Sequence, residues 1–216
     1  MVSALDQFAI LNYFNKGGVV MWPLLAISII AVALILERIF FYRSVSINTP
    51  EFLKKIRIAL EAKKIKEAIM MCENYKGPIA SIMKAGLLKS GKPREEIETA
   101  LSSAGGVEMA RLERGLIGLA TCSTIAPLLG FLGTVTGMIR SFEAIAQQGL
   151  NNPGLVASGI SEALITTATG LFIALPVVAS FNYFNAKVAR LVLEMEESSG
   201  LLLEYIGDLQ TPSMME

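Results

Sequence analysis

Charged residues are absent from three long stretches of this chain. The uncharged stretches 17–36, 115–139 and 163–186 contain 20, 25 and 24 residues. A helix needs about 20 apolar residues to cross a hydrocarbon core about 30 Å thick. The pattern therefore predicts an all-α, polytopic membrane protein with three transmembrane helices.

Composition and charge placement extend this picture. The chain is 53% hydrophobic with a mean hydropathy of +0.54, which is too apolar for an ordinary soluble domain. Of its 19 basic residues, 14 lie in 43–114 and none in 141–162. Positive charge collects on the cytoplasmic side of a membrane. We therefore expect the N-terminus outside and the C-terminus in the cytoplasm.

These observations divide the chain into seven segments. They are an extracytoplasmic segment 1–16, transmembrane helix 17–42, cytoplasmic helical domain 43–114, transmembrane helix 115–142, extracytoplasmic loop 143–157, transmembrane helix 158–186, and cytoplasmic C-terminal helix and tail 187–216. Within the cytoplasmic domain, Asn48 to Glu51 marks a helix start with Asn48 as the capping residue, and Gly77-Pro78 and Gly91 to Pro93 interrupt the helices. One apolar stripe is suggested by Ile56, Leu60, Ile65 and Ile69, and a frayed tail is expected at 211–216. Because no proline lies between Arg94 and Pro127, one helix is expected to continue into the second span. The third span is expected to continue past Ala186.

Several functional classes are excluded by what the sequence lacks. It contains no histidine, which removes HExxH zinc sites and Ser-His hydrolases. Zero net charge argues against a nucleic-acid partner. Cys72 and Cys122 are too few for a disulfide framework. Catalysis by a Ser-Lys pair or by paired carboxylates stays open on these grounds, but only Glu162 lies near the start of a span and no second carboxylate accompanies it in sequence. We therefore expect no enzyme activity, catalytic residues, metal site or cofactor.

Polar residues gather at the start of the third span. Ser158, Glu162, Thr166 and Thr169 follow helical spacing and share one face, with Thr167 about a quarter turn from Thr166. A single threonine in a span usually bonds its own helix backbone. A threonine cluster beside a carboxylate instead favours a wet, functional cavity. This pattern makes Glu162, Thr166 and Thr167 candidate ion-pathway residues.

The second span carries the complementary pattern. Gly133 and Gly137 form a small-xxx-small motif that permits close helix approach. A stripe of small residues is formed by Cys122, Ala126, Gly130, Gly133 and Gly137. We interpret Gly130, Gly133 and Gly137 as helix-packing positions and Thr134 as a functional position in the pore.

These two spans resemble a known family. Residues 126–137 read APLLGFLGTVTG, and residues 159–171 read GISEALITTATGL, followed by Pro176. Both motifs, in this order, resemble the MotA/TolQ/ExbB proton-channel family, and most closely its three-span ExbB and TolQ branch. The specific likeness covers about 115–190, whereas the rest agrees in length, charge and topology.

The resemblance implies a motor subunit of the bacterial inner membrane that couples the proton motive force to movement of a partner. It implies a homopentamer around a central pore, a single-span ExbD- or TolR-like subunit with a membrane aspartate, and a TonB-like protein. The family's polar positions correspond to Thr134, Glu162 and Thr167. This chain's own aspartates, Asp6 and Asp208, lie outside the spans, so the partner would supply the carboxylate.

Three alternatives remain at this point. Thr166 stands where the branch usually has alanine, so a sodium-driven member of the family is one alternative to proton coupling. A passive scaffold for partner helices would need the glycine stripe but not Glu162 or the threonines. A four-span flagellar stator subunit is disfavoured because only three spans are found.

Overall fold

The computed structural model describes residues 12–45, 49–149 and 152–210, with side chains through Gly207. Within these ranges the chain is helical and contains no strand. The helices are α1 (Met21–Val45), α2 (Thr49–Glu61), α3 (Ile65–Asn74), α4 (Pro78–Leu87), α5 (Arg94–Glu113), α6 (Leu116–Gln148) and α7 (Pro153–Gln210).

Three helical stretches in the described part of the chain are long and apolar enough to cross a membrane. They contain α1, α6 and α7, which are the helices that the uncharged segments predict. Large apolar side chains on them are exposed, with Trp22 65% and Phe172 80% accessible. A soluble protein rarely exposes so much apolar surface, whereas lipid or partner helices can cover it. The predicted all-α membrane fold with three spans is confirmed.

The chain divides into two compact units. The first, here called the span unit, comprises Met1–Leu36, as far as it is described, and Leu116–Tyr183. Its core begins where the N-terminal segment enters α1, at the buried residues Val20, Met21 and Leu24. Side chains from three helical segments pack against them: Phe14, Leu129, Ile165 and Ile173. This packing fixes the start of α1 against α6 and α7.

The second unit, here called the short-helix unit, comprises Glu37–Gly115 and the described part of Phe184–Glu216. Apolar residues of α2 to α5 and the end of α7 form its core, including Phe52, Ile56, Ile82, Met83, Ile97 and Leu202. Helix α4 lies close to both α5 and α7, because a Cβ at Gly86 would be 2.7 Å from side-chain atoms of Leu101 and Leu202. Apolar burial therefore holds these short helices together.

Helix boundaries differ from the sequence prediction in three places. The apolar pattern Ile56, Leu60, Ile65 and Ile69 suggests one stripe, but the chain turns between α2 and α3, where Lys63 has φ +56°. Helices α5 and α6 are separated by a turn at Arg114 and Gly115. The predicted loop 143–157 is largely helical, since α6 ends at Gln148 and α7 begins at Pro153.

The turn between α5 and α6 has a local physical cause. Gly115 lies against the guanidinium of Arg38, and a Cβ there would lie 2.5 Å from the guanidinium carbon. Tyr42 Oη donates a hydrogen bond of 2.9 Å to the Leu112 carbonyl, which is in the last turn of α5. A side chain at this junction would collide with Arg38, so glycine permits the close approach.

Other sequence predictions agree with the helix boundaries. Helix α2 begins at Thr49, α4 begins at Pro78, and α7 continues from the third span to Gln210. The predicted capping residue Asn48 and the predicted frayed tail 211–216 lie outside the described residues.

Candidate functional site

The small-residue stripe of α6 faces α7 at very short range. Cys122, Ala126, Gly130, Gly133 and Gly137 are all buried. A Cβ at Gly137 would lie 2.6 Å from the Gly159 carbonyl, and one at Gly130 would lie 3.1 Å from the Thr166 carbonyl. The α7 residue Gly170 reciprocates, since its Cβ would lie 2.6 Å from the Ala126 carbonyl. The two helix backbones are therefore in direct contact within one chain.

Thr167 joins the two helices across this contact. Its Oγ1 lies 3.1 Å from the Gly130 carbonyl oxygen of α6 and 3.0 Å from the Ala163 carbonyl oxygen of its own helix. A hydroxyl donates a single proton, so these two acceptors share it. The missing side chain at Gly130 is what exposes the α6 carbonyl to this donor.

Thr166 fills the space opposite Gly133. The side chain is 0% exposed, and a Cβ on Gly133 would overlap its hydroxyl and Cβ atoms. Its Oγ1 lies 3.0 Å from the carbonyl oxygens of Glu162 and Ala163. Thr169 likewise donates to the Ile165 carbonyl at 2.8 Å. Thr166 and Thr169 thus satisfy the backbone of their own helix, as threonines in spans commonly do.

Thr134 is placed differently from the α7 threonines. It is half-buried, and its Oγ1 donates a 2.6 Å hydrogen bond to the Phe131 carbonyl of its own helix. Its neighbours Phe131 and Val135 are exposed. Thr134 is therefore adjacent to a surface of α6 that the described residues leave uncovered.

Glu162 forms an ion pair that spans α6 and α7. Arg140 Nη1 lies 2.7 Å from Glu162 Oε1 and 2.6 Å from Oε2. The Glu162 side chain is only 10% exposed, whereas that of Arg140 is 51% exposed. A buried carboxylate needs a partner, and a charge-assisted hydrogen bond supplies it here.

Gly18 lies against the same carboxylate. It adopts the left-handed conformation with φ +69°, and a Cβ there would overlap Glu162 Oε1 and lie 2.6 Å from Cδ. Only glycine takes this conformation without steric cost. The segment before α1 therefore lies over one side of Glu162, and Arg140 approaches the carboxylate as well.

Glu162 is recognisable from the sequence as a candidate site residue, whereas Arg140 and Gly18 were not predicted. In the sequence, Arg140 is simply the first charged residue after the uncharged stretch 115–139. No other basic residue lies between it and Glu162. Opposite charges at neighbouring ends of two consecutive spans were the available signal. No sequence signal marks Gly18, because its contact with Glu162 depends on its positive φ angle.

The site offers one buried carboxylate, one half-exposed cation and several backbone-bonded hydroxyls. Among the described residues, no group of three or more histidine, cysteine, aspartate or glutamate side chains could hold a metal ion. In a membrane span, a buried carboxylate is costly and is therefore a candidate functional position. Such a site is suited to exchanging a proton or another small cation.

Comparisons with known proteins match both spans of this site. A model of the MotA/TolQ/ExbB proton channel family matches residues 74–197. A protein of Methanothermobacter thermautotrophicus named as an ExbB homolog is 33% identical over 181 residues, covering 83% of this chain and 64% of that protein. An ExbB-like protein of Synechocystis is 32% identical over 186 residues, covering 85% of this chain and 89% of that protein. The Tol-Pal system protein TolQ of Pseudomonas aeruginosa is 40% identical over 98 residues, covering 45% of this chain and 42% of that protein.

Proposed function

The chain belongs to the MotA/TolQ/ExbB proton channel family, in its ExbB/TolQ branch, and from this premise we propose that it is the ion-channel subunit of an envelope motor. The family places it among subunits of energy-transducing membrane complexes. In the proposal, a homopentamer uses the proton motive force to move a single-span ExbD/TolR-like partner. That movement powers TonB-dependent outer-membrane transport or a related envelope process.

The observation that carries this proposal is the buried carboxylate of Glu162. It lies at the start of the third span, within the segment that the family model matches, and only Arg140 neutralises its charge among the described residues. A passive scaffold would need the α6–α7 backbone contact, whereas burying a carboxylate costs stability even when an ion pair partly offsets that cost. The stability cost of burying the Glu162 carboxylate therefore favours a role in ion transfer over a purely structural role.

In the proposed mechanism, the partner's membrane aspartate carries the proton. Water-poor surroundings disfavour the charged form of that aspartate, so it takes up a proton near the outer mouth and releases it inside. Glu162 lies at the outer end and passes the proton to this aspartate. Thr134 and Thr167 are proposed to line the path, with Thr134 half-buried beside the uncovered surface of α6.

The proposed function can be tested in vesicles that contain the full chain and the single-span protein that co-purifies with it. An imposed proton gradient should drive dye-detected flux only when both proteins are present. The control vesicles contain the chain alone. If no single-span protein with a membrane aspartate co-purifies, and the vesicles carry no flux, the motor proposal is wrong.

We further propose that the ion is H⁺ rather than Na⁺. Sodium needs several oxygens that converge on one point, because it exchanges its hydration shell for protein ligands. The Thr166 hydroxyl is fully buried and bonded to its own backbone, which supports proton coupling. Flux at fixed pH should be indifferent to Na⁺ in the native chain and in Thr166→Ala. Sodium-dependent flux that Thr166→Ala abolishes would establish the opposite.

The proposed orientation predicts which introduced cysteines react with a membrane-impermeant maleimide. Asn152→Cys should label from outside intact cells, and Ala62→Cys should label only after lysis, because basic residues hold 43–114 in the cytoplasm. Both positions are exposed. The unsubstituted chain is the control: Cys72 and Cys122 are buried, and burial raises the pKa of the Cys72 thiol to about 11. The reverse labelling pattern would overturn the orientation.

A further inference from the structure

The carboxylate of Glu162 is already occupied by a cation of this chain. Arg140 Nη1 is within 2.7 Å of both carboxylate oxygens. The backbone at Gly18 covers part of the same group. An ion arriving at Glu162 would therefore compete with the guanidinium for the same oxygen lone pairs.

The two partners of this ion pair differ in their freedom to move. Glu162 lies on α7 and is buried beside Gly18, so its carboxylate has little room to leave. Arg140 is half exposed and directly follows the uncharged stretch 115–139, so its long side chain can carry the charged head to the membrane surface while the stem stays on apolar surface. The side chain that leaves when the pair opens is therefore Arg140.

We propose that Arg140 is a tethered cation that closes the Glu162 site and is displaced when the transported ion enters. The inference rests on the proposed function, because it describes access to the same carboxylate. Arg140 is a positioning residue: it holds Glu162 in a neutral pair between transfer events and prevents ions from leaking through an open site. When the Arg140 side chain is removed, a small free guanidinium is the cation expected to replace it beside Glu162.

Carbodiimide labelling of carboxyl groups tests this closure without requiring flux. Glu143 is exposed on α6, near Arg140, and provides an internal standard in the same molecule. In the native chain Glu162 should label far less than Glu143. Arg140→Ala should raise Glu162 labelling roughly tenfold or more, as expected for loss of a charge-assisted hydrogen bond. Arg140→Lys should retain most of the protection.

Chemical rescue distinguishes an Arg140 guanidinium that occupies the Glu162 site from an Arg140 side chain that only supports the fold. Methylguanidinium at low millimolar concentration should enter the space left in Arg140→Ala and restore protection of Glu162. Labelling that is unchanged in Arg140→Ala would overturn the proposal. Labelling that rises but does not fall again with methylguanidinium would also overturn it, because Arg140 would then act by supporting the fold.

Flux measurements distinguish this inference from the motor proposal itself. In vesicles with the co-purifying partner, Arg140→Ala should raise passive proton leak, and methylguanidinium should lower it again. If the native complex carries no flux, the proposed function fails, and the labelling result alone decides the role of Arg140. If the native complex carries flux while leak and labelling stay unchanged in Arg140→Ala, only the tethered-cation inference fails.

Discussion

Glu162→Gln should abolish gradient-driven flux while the complex still assembles. Glutamine keeps the shape of the side chain and can still accept a hydrogen bond from Arg140, but it cannot hold an exchangeable proton. We expect a loss of roughly 10²-fold or more, the usual effect of removing a group that transfers protons. The measurement is the initial rate of dye-detected flux in vesicles containing both subunits.

Assembly should survive because of where the orphaned charge lies. Arg140 is 51% exposed, so its guanidinium can turn to water when Glu162 becomes neutral. A fully buried arginine would instead be left with an uncompensated charge, which is strongly destabilising. Size-exclusion chromatography should therefore show the native stoichiometry for Glu162→Gln.

Glu143→Gln is the matched control. It makes the same chemical change on an exposed carboxylate of α6 and should leave flux unchanged. Full flux in Glu162→Gln across pH would reduce Glu162 to a structural partner of Arg140. Opposite effects are expected for the two members of the ion pair. Glu162→Gln should lose gradient-driven flux, whereas Arg140→Ala should show increased passive proton leak.

The spans were predictable from sequence because they depend on composition over about 20 residues. The absence of charge in 115–139 places a helix there whatever its neighbours are. The unbroken course of α7 to Gln210 was likewise visible, since no glycine–proline break follows the span. The turn before Ile65 could not be predicted from the sequence. It depends on one residue, Lys63, which adopts a left-handed conformation that no sequence pattern marks.

The site was predictable only in part because it depends on contacts between pairs of residues on different helices. Glu162 was identified from its own cost in a membrane span, but its partner Arg140 lies 22 residues earlier on another helix. Helical spacing puts Glu162 and Thr166 on one face, yet it does not reveal what each side chain contacts. Thr166 faces Gly133, and its hydroxyl bonds backbone. Periodicity therefore locates a polar face but does not separate packing from ion transfer.

Gly133→Leu should prevent the chain from folding to a stable, assembled form. Any Cβ at Gly133 overlaps the hydroxyl and Cβ of Thr166 and lies 3.0 Å from its Cγ2. Overpacking by single methylene groups costs about 1–3 kcal/mol, and leucine adds a whole branched side chain. Since the contact lies within one chain, the protomer itself should lose stability before any oligomer forms. Fluorescence-detected size-exclusion chromatography after a temperature ramp measures this.

A complementary substitution shows whether the Gly133–Thr166 contact is the cause. Gly133→Ala should lower the unfolding temperature, and Gly133→Ala with Thr166→Gly should recover part of it, because the second change removes the atoms that the new Cβ meets. Gly106→Leu is the control for a glycine-to-leucine change in a helix. A Cβ at Gly106 meets no atom within 4 Å, so that variant should stay stable. If Gly133→Leu purifies with native stoichiometry and unfolding temperature, α6 and α7 do not approach each other here as closely as their glycines allow.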